Sequence, residues 1–144
     1  MKAESKAMKV ALRTVRLFQI AMLVSVVLYV VVGELVRPVT SAHPTLLYFA
    51  SVASISIIGA MLVVRRTLVL QSEEQLRQKP GDALVLSRWK TGYIVTFLLC
   101  ELVALFGLSL RLVGFSRSHV WPYYAGGFAL LLLFWPTRPR GVAK

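Results

Sequence analysis

Glu101 is the one acid near the middle of an apolar stretch, ten residues after Thr91 and twelve before Val113. A carboxyl at the centre of a bilayer costs roughly 2.5–3.5 kcal/mol to insert, so such groups face a protein interior or a wet cavity. Loss of water favours the neutral acid unless a cation lies near. Two chemistries follow: uptake and release of a proton or cation, or a hydrogen bond that fixes a neighbouring helix. By sequence the hydroxyls placed to meet Glu101 are those of Ser54 and Ser56, because the second apolar stretch is rich in small residues that let helices approach. Ala50, Ser54, Ser56, Gly59 and Ala60 all lie there, with Ala50–Ser54 and Ser56–Ala60 at small-xxx-small spacing. Ala104 and Gly107 leave room beside Glu101 on its own helix. The alternative for both serines is a bond to their own helix backbone.

Little else in the chain carries chemistry. The single cysteine, Cys100, lies inside an apolar stretch, which excludes an intrachain disulfide or a thiolate zinc site. His43 and His119 fall in short loops with no further ligand at metal or haem spacing. There is no phosphate loop, nucleophile elbow or HExxH pair. The expectation is a non-enzyme without metal or cofactor.

The elements that position Glu101 are set by composition. Of 144 residues, 57% are hydrophobic and 16% charged, with a mean hydropathy of +0.70. Soluble domains run about 45–50% apolar and about 25% charged, so both departures point to lipid. A bilayer core about 30 Å thick needs roughly 20 apolar residues as a helix. Four stretches approach this, at 17–36, 46–64, 91–113 and 120–135, the last short and carrying Gly126 and Gly127. The runs are continuous rather than alternating, which predicts helices, not a barrel. Pro38 and Pro136 close the first and fourth stretches, and Pro122 fits a first helical turn. Trp89, Trp121, Tyr123, Tyr124 and Trp135 fall near headgroup levels. The predicted fold is all-α: one integral membrane domain, 1–144, of four transmembrane helices around a cytoplasmic loop at 65–90. The first stretch exceeds the about 7–15 residues of a signal peptide's apolar region and reads as a retained helix.

The net charge of +11 is explained by topology. One side of the four spans receives Lys2, Lys6, Lys9, Arg13 and Arg16, then Arg65, Arg66, Arg77, Lys79, Arg88 and Lys90, and finally Arg138, Arg140 and Lys144, fourteen in all. The other side receives three, Arg37, Arg111 and Arg117. Positive charge stays inside, so both termini and the long loop are expected in the cytoplasm. Arg65, Arg66, Arg88, Lys90, Arg138 and Arg140 should meet lipid headgroups, at roughly 1 kcal/mol per charge. The charges flank apolar runs instead of forming a patch, so no nucleic-acid partner is expected. Glu34 has Arg37 at i+3 as a local ion-pair partner. Arg111 lies about 15 Å past Glu101 along a helix and is expected to snorkel outward. The two halves have similar length and charge punctuation, in the manner of two stacked hairpins.

The run Glu101-Leu-Val-Ala-Leu-Phe-Gly-Leu108 resembles the carboxylate helix of rotor-ring proteolipid subunits of ATP synthases and vacuolar-type ATPases, and Arg77-Gln78-Lys79-Pro80 is similar to their polar loop. The resemblance implies that Glu101 is an ion-carrying carboxyl. The chain departs from the family in lacking the Gly-x-Gly repeat of the ring's inner helix, in its longer loop, and in having a further helix on each side. The preferred expectation is a non-enzymatic accessory, scaffold or assembly subunit. Its small-residue faces would pack against other membrane subunits or a second copy, within the lipid bilayer. The alternative is proton or cation translocation through Glu101.

Overall fold

The computed structural model describes residues 2–36, 43–78 and 82–136, without the side chains of 2–5 and 77. Among these the chain is all-helical, with no strand. Helix α1 spans Lys2–Leu35, α2 Pro44–Val64, a π-helical turn Arg65–Leu70, α3 Gln71–Gln78, α4 Ala83–Val113 and α5 Arg117–Leu133. Pro44 opens α2, where its missing N–H costs nothing. Asp82 opens α4 by accepting the backbone N–H groups of Leu84 and Val85 at 2.9 and 3.3 Å. Gly114 ends α4 at φ 109°, and the N–H groups of Gly114 and Phe115 return to the carbonyls of Arg111 and Leu110. That left-handed residue favours glycine, and it turns the chain within three residues into α5.

Three helices, Lys6–Leu35, Pro44–Leu76 and Ala83–Val113, are long and apolar enough to cross a membrane. They are compatible with a multi-pass membrane protein. Helix α5, with 17 residues, falls short of that length. Residues 65–78, the first half of the segment between the second and third spans, continue α2 as a π turn and a polar helix, as their sequence before Pro80-Gly81 allows.

The packing departs from two stacked hairpins. Helix α4 is the centre, contacting α1, α2, α5 and the π turn, and α1 also meets α5. The consecutive helices α1 and α2 do not pack on each other among the described residues. The buried side of α1 is written at alternating three- and four-residue steps: Met8, Leu12, Val15, Gln19, Val26 and Gly33. Tyr93, Phe97, Cys100, Ala104 and Gly107 repeat the pattern on α4. Such a period brings two helices together along one seam at a shallow angle.

Small residues set the distance. A Cβ on Gly127 of α5 would lie 2.9 Å from the Ala104 Cβ and 3.0 Å from the Cys100 carbonyl oxygen, so α5 and α4 touch backbone to backbone. The room left by Ala104 and Gly107 is therefore filled by α5. On α2 the small residues divide: Ala50 and Ser54 are buried inside the chain, whereas Ser56, Gly59 and Ala60 turn outward. Nothing lies within 4 Å of a Cβ built on Gly59.

Gly126 and Gly127 provide a matched test, because a Cβ on Gly126 meets open space. Gly127→Ala should lower stability in detergent by the about 1–3 kcal/mol of an overpacked core, seen as a fall in thermal midpoint. Gly126→Ala should leave the midpoint level or higher. Equal falls in both variants would contradict the α4–α5 contact.

Candidate functional site

The carboxylate of Glu101 is held by α1, not by α2. Its Oε1 accepts the Tyr29 hydroxyl at 2.5 Å, joining the C-terminal part of α1 to the middle of α4. Ser25, one turn earlier on α1, lies beside the phenol oxygen. Glu101 itself is half-buried.

The two serines expected to serve it are elsewhere. Ser56 faces outward and donates to the Val52 carbonyl of its own helix at 3.0 Å. Ser54 is buried, and its hydroxyl has no hydrogen-bond partner. The reason is rotation. At 3.6 residues per turn, neighbours on a helix point about 100° apart. Cys100 takes the α2 side, 3.3 Å from the Met61 sulfur, and Glu101 is thereby turned to α1.

A polar seam runs from Glu101 to the end of the bundle that holds the α4–α5 turn. The Tyr124 hydroxyl of α5 points to the Tyr29 carbonyl at 3.5 Å. Arg111 donates from Nε to the Gly33 carbonyl and from a terminal nitrogen to the Phe115 carbonyl, both at 3.1 Å. The last four carbonyls of a helix lack intrahelical partners, so Arg111 supplies one for the end of α1. It makes no bond to Glu101. Gly33 is needed there, since a Cβ would lie 2.7 Å from the Tyr124 hydroxyl. Glu34 is ion-paired with Arg117 of α5. Arg37, its expected local partner, lies outside the described residues. The Arg117 side chain is 67% exposed, which limits that pair to about 0–1 kcal/mol.

The opposite end of α5 is also tied to α1. Gln19 is fully buried and donates from Nε2 to the Leu131 carbonyl at 2.5 Å, leaving its Oε1 without a partner. Beside it the Arg65 guanidinium sits 4.3 Å over the Phe134 ring. Of the basic residues expected at headgroups, Arg66 and Arg88 are exposed and Lys90 is half-buried. Arg65 is engaged by the aromatic ring, and Arg138 and Arg140 lie outside the described residues. His119 Nδ1 bonds the Ser116 hydroxyl at 2.7 Å. Among the described residues no three His, Cys, Asp or Glu side chains gather to hold a metal ion.

Two residues that matter here carried weak sequence signals. Tyr29 counts as an aromatic filler in a hydropathy reading, although its hydroxyl lies within one heptad pair of the span centre. Gln19 sits three residues inside the first span, where an edge position disguises a buried amide. Comparison with protein-family models, with curated proteins and with solved structures finds no match to this chain.

A carboxylate held this way can clamp α1 to α4 through the phenol hydroxyl it accepts. Its coupling to Tyr29 is measurable by a double-mutant cycle of Tyr29→Phe and Glu101→Leu in detergent. Side-chain hydrogen bonds between membrane helices average about 0.6 kcal/mol and reach about 1.7 kcal/mol. The cycle should return a coupling in that range. A value of zero would contradict the clamp.

Proposed function

We propose that the chain is a four-span membrane protein with both termini in the cytoplasm. It serves as a non-enzymatic accessory, scaffold or assembly subunit whose α2 meets another subunit within the bilayer. The fourth span is α5. Its ties to α1 at Glu34 and Gln19 are fifteen residues apart, about 22 Å of α1 at 1.5 Å per residue, so α5 accompanies most of the first span. Its 17 residues reach about 26 Å, close to a core of about 30 Å. The sidedness rests on the distribution of Lys and Arg.

The observation that carries the functional reading is the outward face of α2. Ser56, Gly59 and Ala60 lie there with Val52, Ile55 and Val63, turned away from α4. Lipid tails are as apolar as leucine, so a face of small residues gains nothing from lipid and gains dispersion contacts from a closely packed helix.

Translocation through Glu101 is the second reading. It is favoured by the exchangeable Tyr29 hydroxyl on the carboxylate and by the resemblance of Glu101 to Leu108 to a rotor-ring carboxylate helix.

Purification in mild detergent should yield a complex larger than one chain. Gly59→Leu should release the chain from it without altering the chain's own thermal midpoint. Recovery of the native protein only as a monomer would overturn the subunit reading. In reconstituted vesicles the purified chain should give no proton flux above empty vesicles; flux that Glu101→Gln abolishes would establish the second reading instead.

A further inference from the structure

Helices α1 and α4 run side by side in the same direction, with Tyr29 level with Glu101 and Gly33 level with Arg111. At the far end from Arg111 they part to leave a groove of about 530 Å³. Lys6, Val10 and Thr14 of α1 face Leu86, Ser87 and Lys90 of α4 across it. The floor is aliphatic, and a lysine stands on each wall.

Among the described side chains no acid lines the groove. Asp82, next to Ala83 at the rim, caps α4 through Leu84 and Val85, and Glu73 accepts the Trp89 indole N–H at 3.3 Å; the Glu4 side chain lies outside the described residues. Neither lysine forms an ion pair with a described residue. Other cations on the same two helices, Lys9, Arg13 and Arg16 of α1 and Arg88 of α4, are exposed and do not line it. The two lysines are therefore selected by position, not by general basicity.

The level of the groove identifies its occupant. Thr14 and Lys90 abut the apolar stretches that begin at 17 and 91, and Lys6 stands eight residues, about 12 Å, farther out. The groove thus crosses the headgroup layer, with its aliphatic floor continuing toward the hydrocarbon. A ligand fitting it carries negative charge beside Lys6 and Lys90 and apolar substance against Val10 and Leu86. We propose that this groove seats the headgroup of one anionic phospholipid, with its phosphodiester between Lys6 and Lys90. The proposal rests on the membrane reading of α1 and α4 and is independent of any partner at α2.

The test is native mass spectrometry of the full chain in detergent, titrated with phosphatidylglycerol or phosphatidylcholine. One phosphatidylglycerol should be retained per chain, in preference to phosphatidylcholine. The double variant Lys6→Gln/Lys90→Gln should weaken retention by about tenfold or more, two lysines each contributing the usual attraction of a surface cation for anionic lipid. Lys6→Arg/Lys90→Arg should keep it, and Lys9→Gln/Arg88→Gln, with the same loss of charge, should leave it unchanged. Equal weakening in the two Gln pairs would overturn the site in favour of diffuse attraction. Equal retention of the two lipids would overturn it in favour of an apolar seat, and displacement by millimolar inorganic phosphate would assign the groove to a free anion.

Discussion

A bilayer offers no water to polar groups, so a hydroxyl, carboxylate or open helix end at membrane depth is costly unless it finds a partner within the protein. That requirement organises this bundle. The predominantly apolar part of α1, from Leu17 onward, takes part in a polar bond at three levels. Gln19 serves a carbonyl at the end of α5, Tyr29 serves Glu101, and the Gly33 carbonyl receives Arg111. Gly33 lies about one turn past Tyr29 and about four turns past Gln19, so the three positions share one side of the helix within an arc of about 80°. Bonds at three levels fix both the height and the rotation of α1 against its neighbours, which aliphatic contacts alone leave free to slide.

The same requirement explains why α4 is central. It carries the acid, so it has to be surrounded, and it carries the small residues that allow it. Gly127 lies against Ala104 and the Cys100 carbonyl, and Gly92 admits the π turn, where a Cβ would come within 2.9 Å of Leu68 and Val69. Helix α2 is held on the remaining side by Met61 on Cys100 and by the Ser51 hydroxyl, 2.7 Å from that of Tyr123. Having used Ala50, Ser51 and Ser54 inward, α2 keeps Ser56, Gly59 and Ala60 for the outside. One helix thus divides its small residues between the chain and its surroundings.

Much of this was written in the sequence. Continuous apolar runs marked the helices, although α1 and α4 begin well before them at Lys2 and Ala83, and Glu101 stood out because an acid in such a run is costly without a partner. The small residues of α2 and α4 were legible as contact surfaces. Their contacts were not, because neighbour choice depends on which helix lies across a given face, and chain order misled: among the described residues α2 packs on α4 and bonds α5 through Ser51, and does not pack on α1. A single residue of rotation separates Cys100, facing α2, from Glu101, facing α1. Glu34 likewise finds Arg117, eighty-three residues away, although Arg37 was nearer in the chain. Hydropathy also hid the useful atom of Tyr29, since an aromatic ring scores as apolar whatever its hydroxyl reaches.

The central claim is that lipid surrounds four helices whose ends alternate between two aqueous faces. Cysteine labelling in intact cells tests it directly, with Cys100 as a silent background because it is fully buried. A membrane-impermeant maleimide should label Ser118→Cys in intact cells, while Gln75→Cys and a cysteine appended after Lys144 should react only once the membrane is opened. Labelling of the appended cysteine together with Ser118→Cys, with Gln75→Cys protected, would place the carboxyl terminus outside and contradict the crossing of α5.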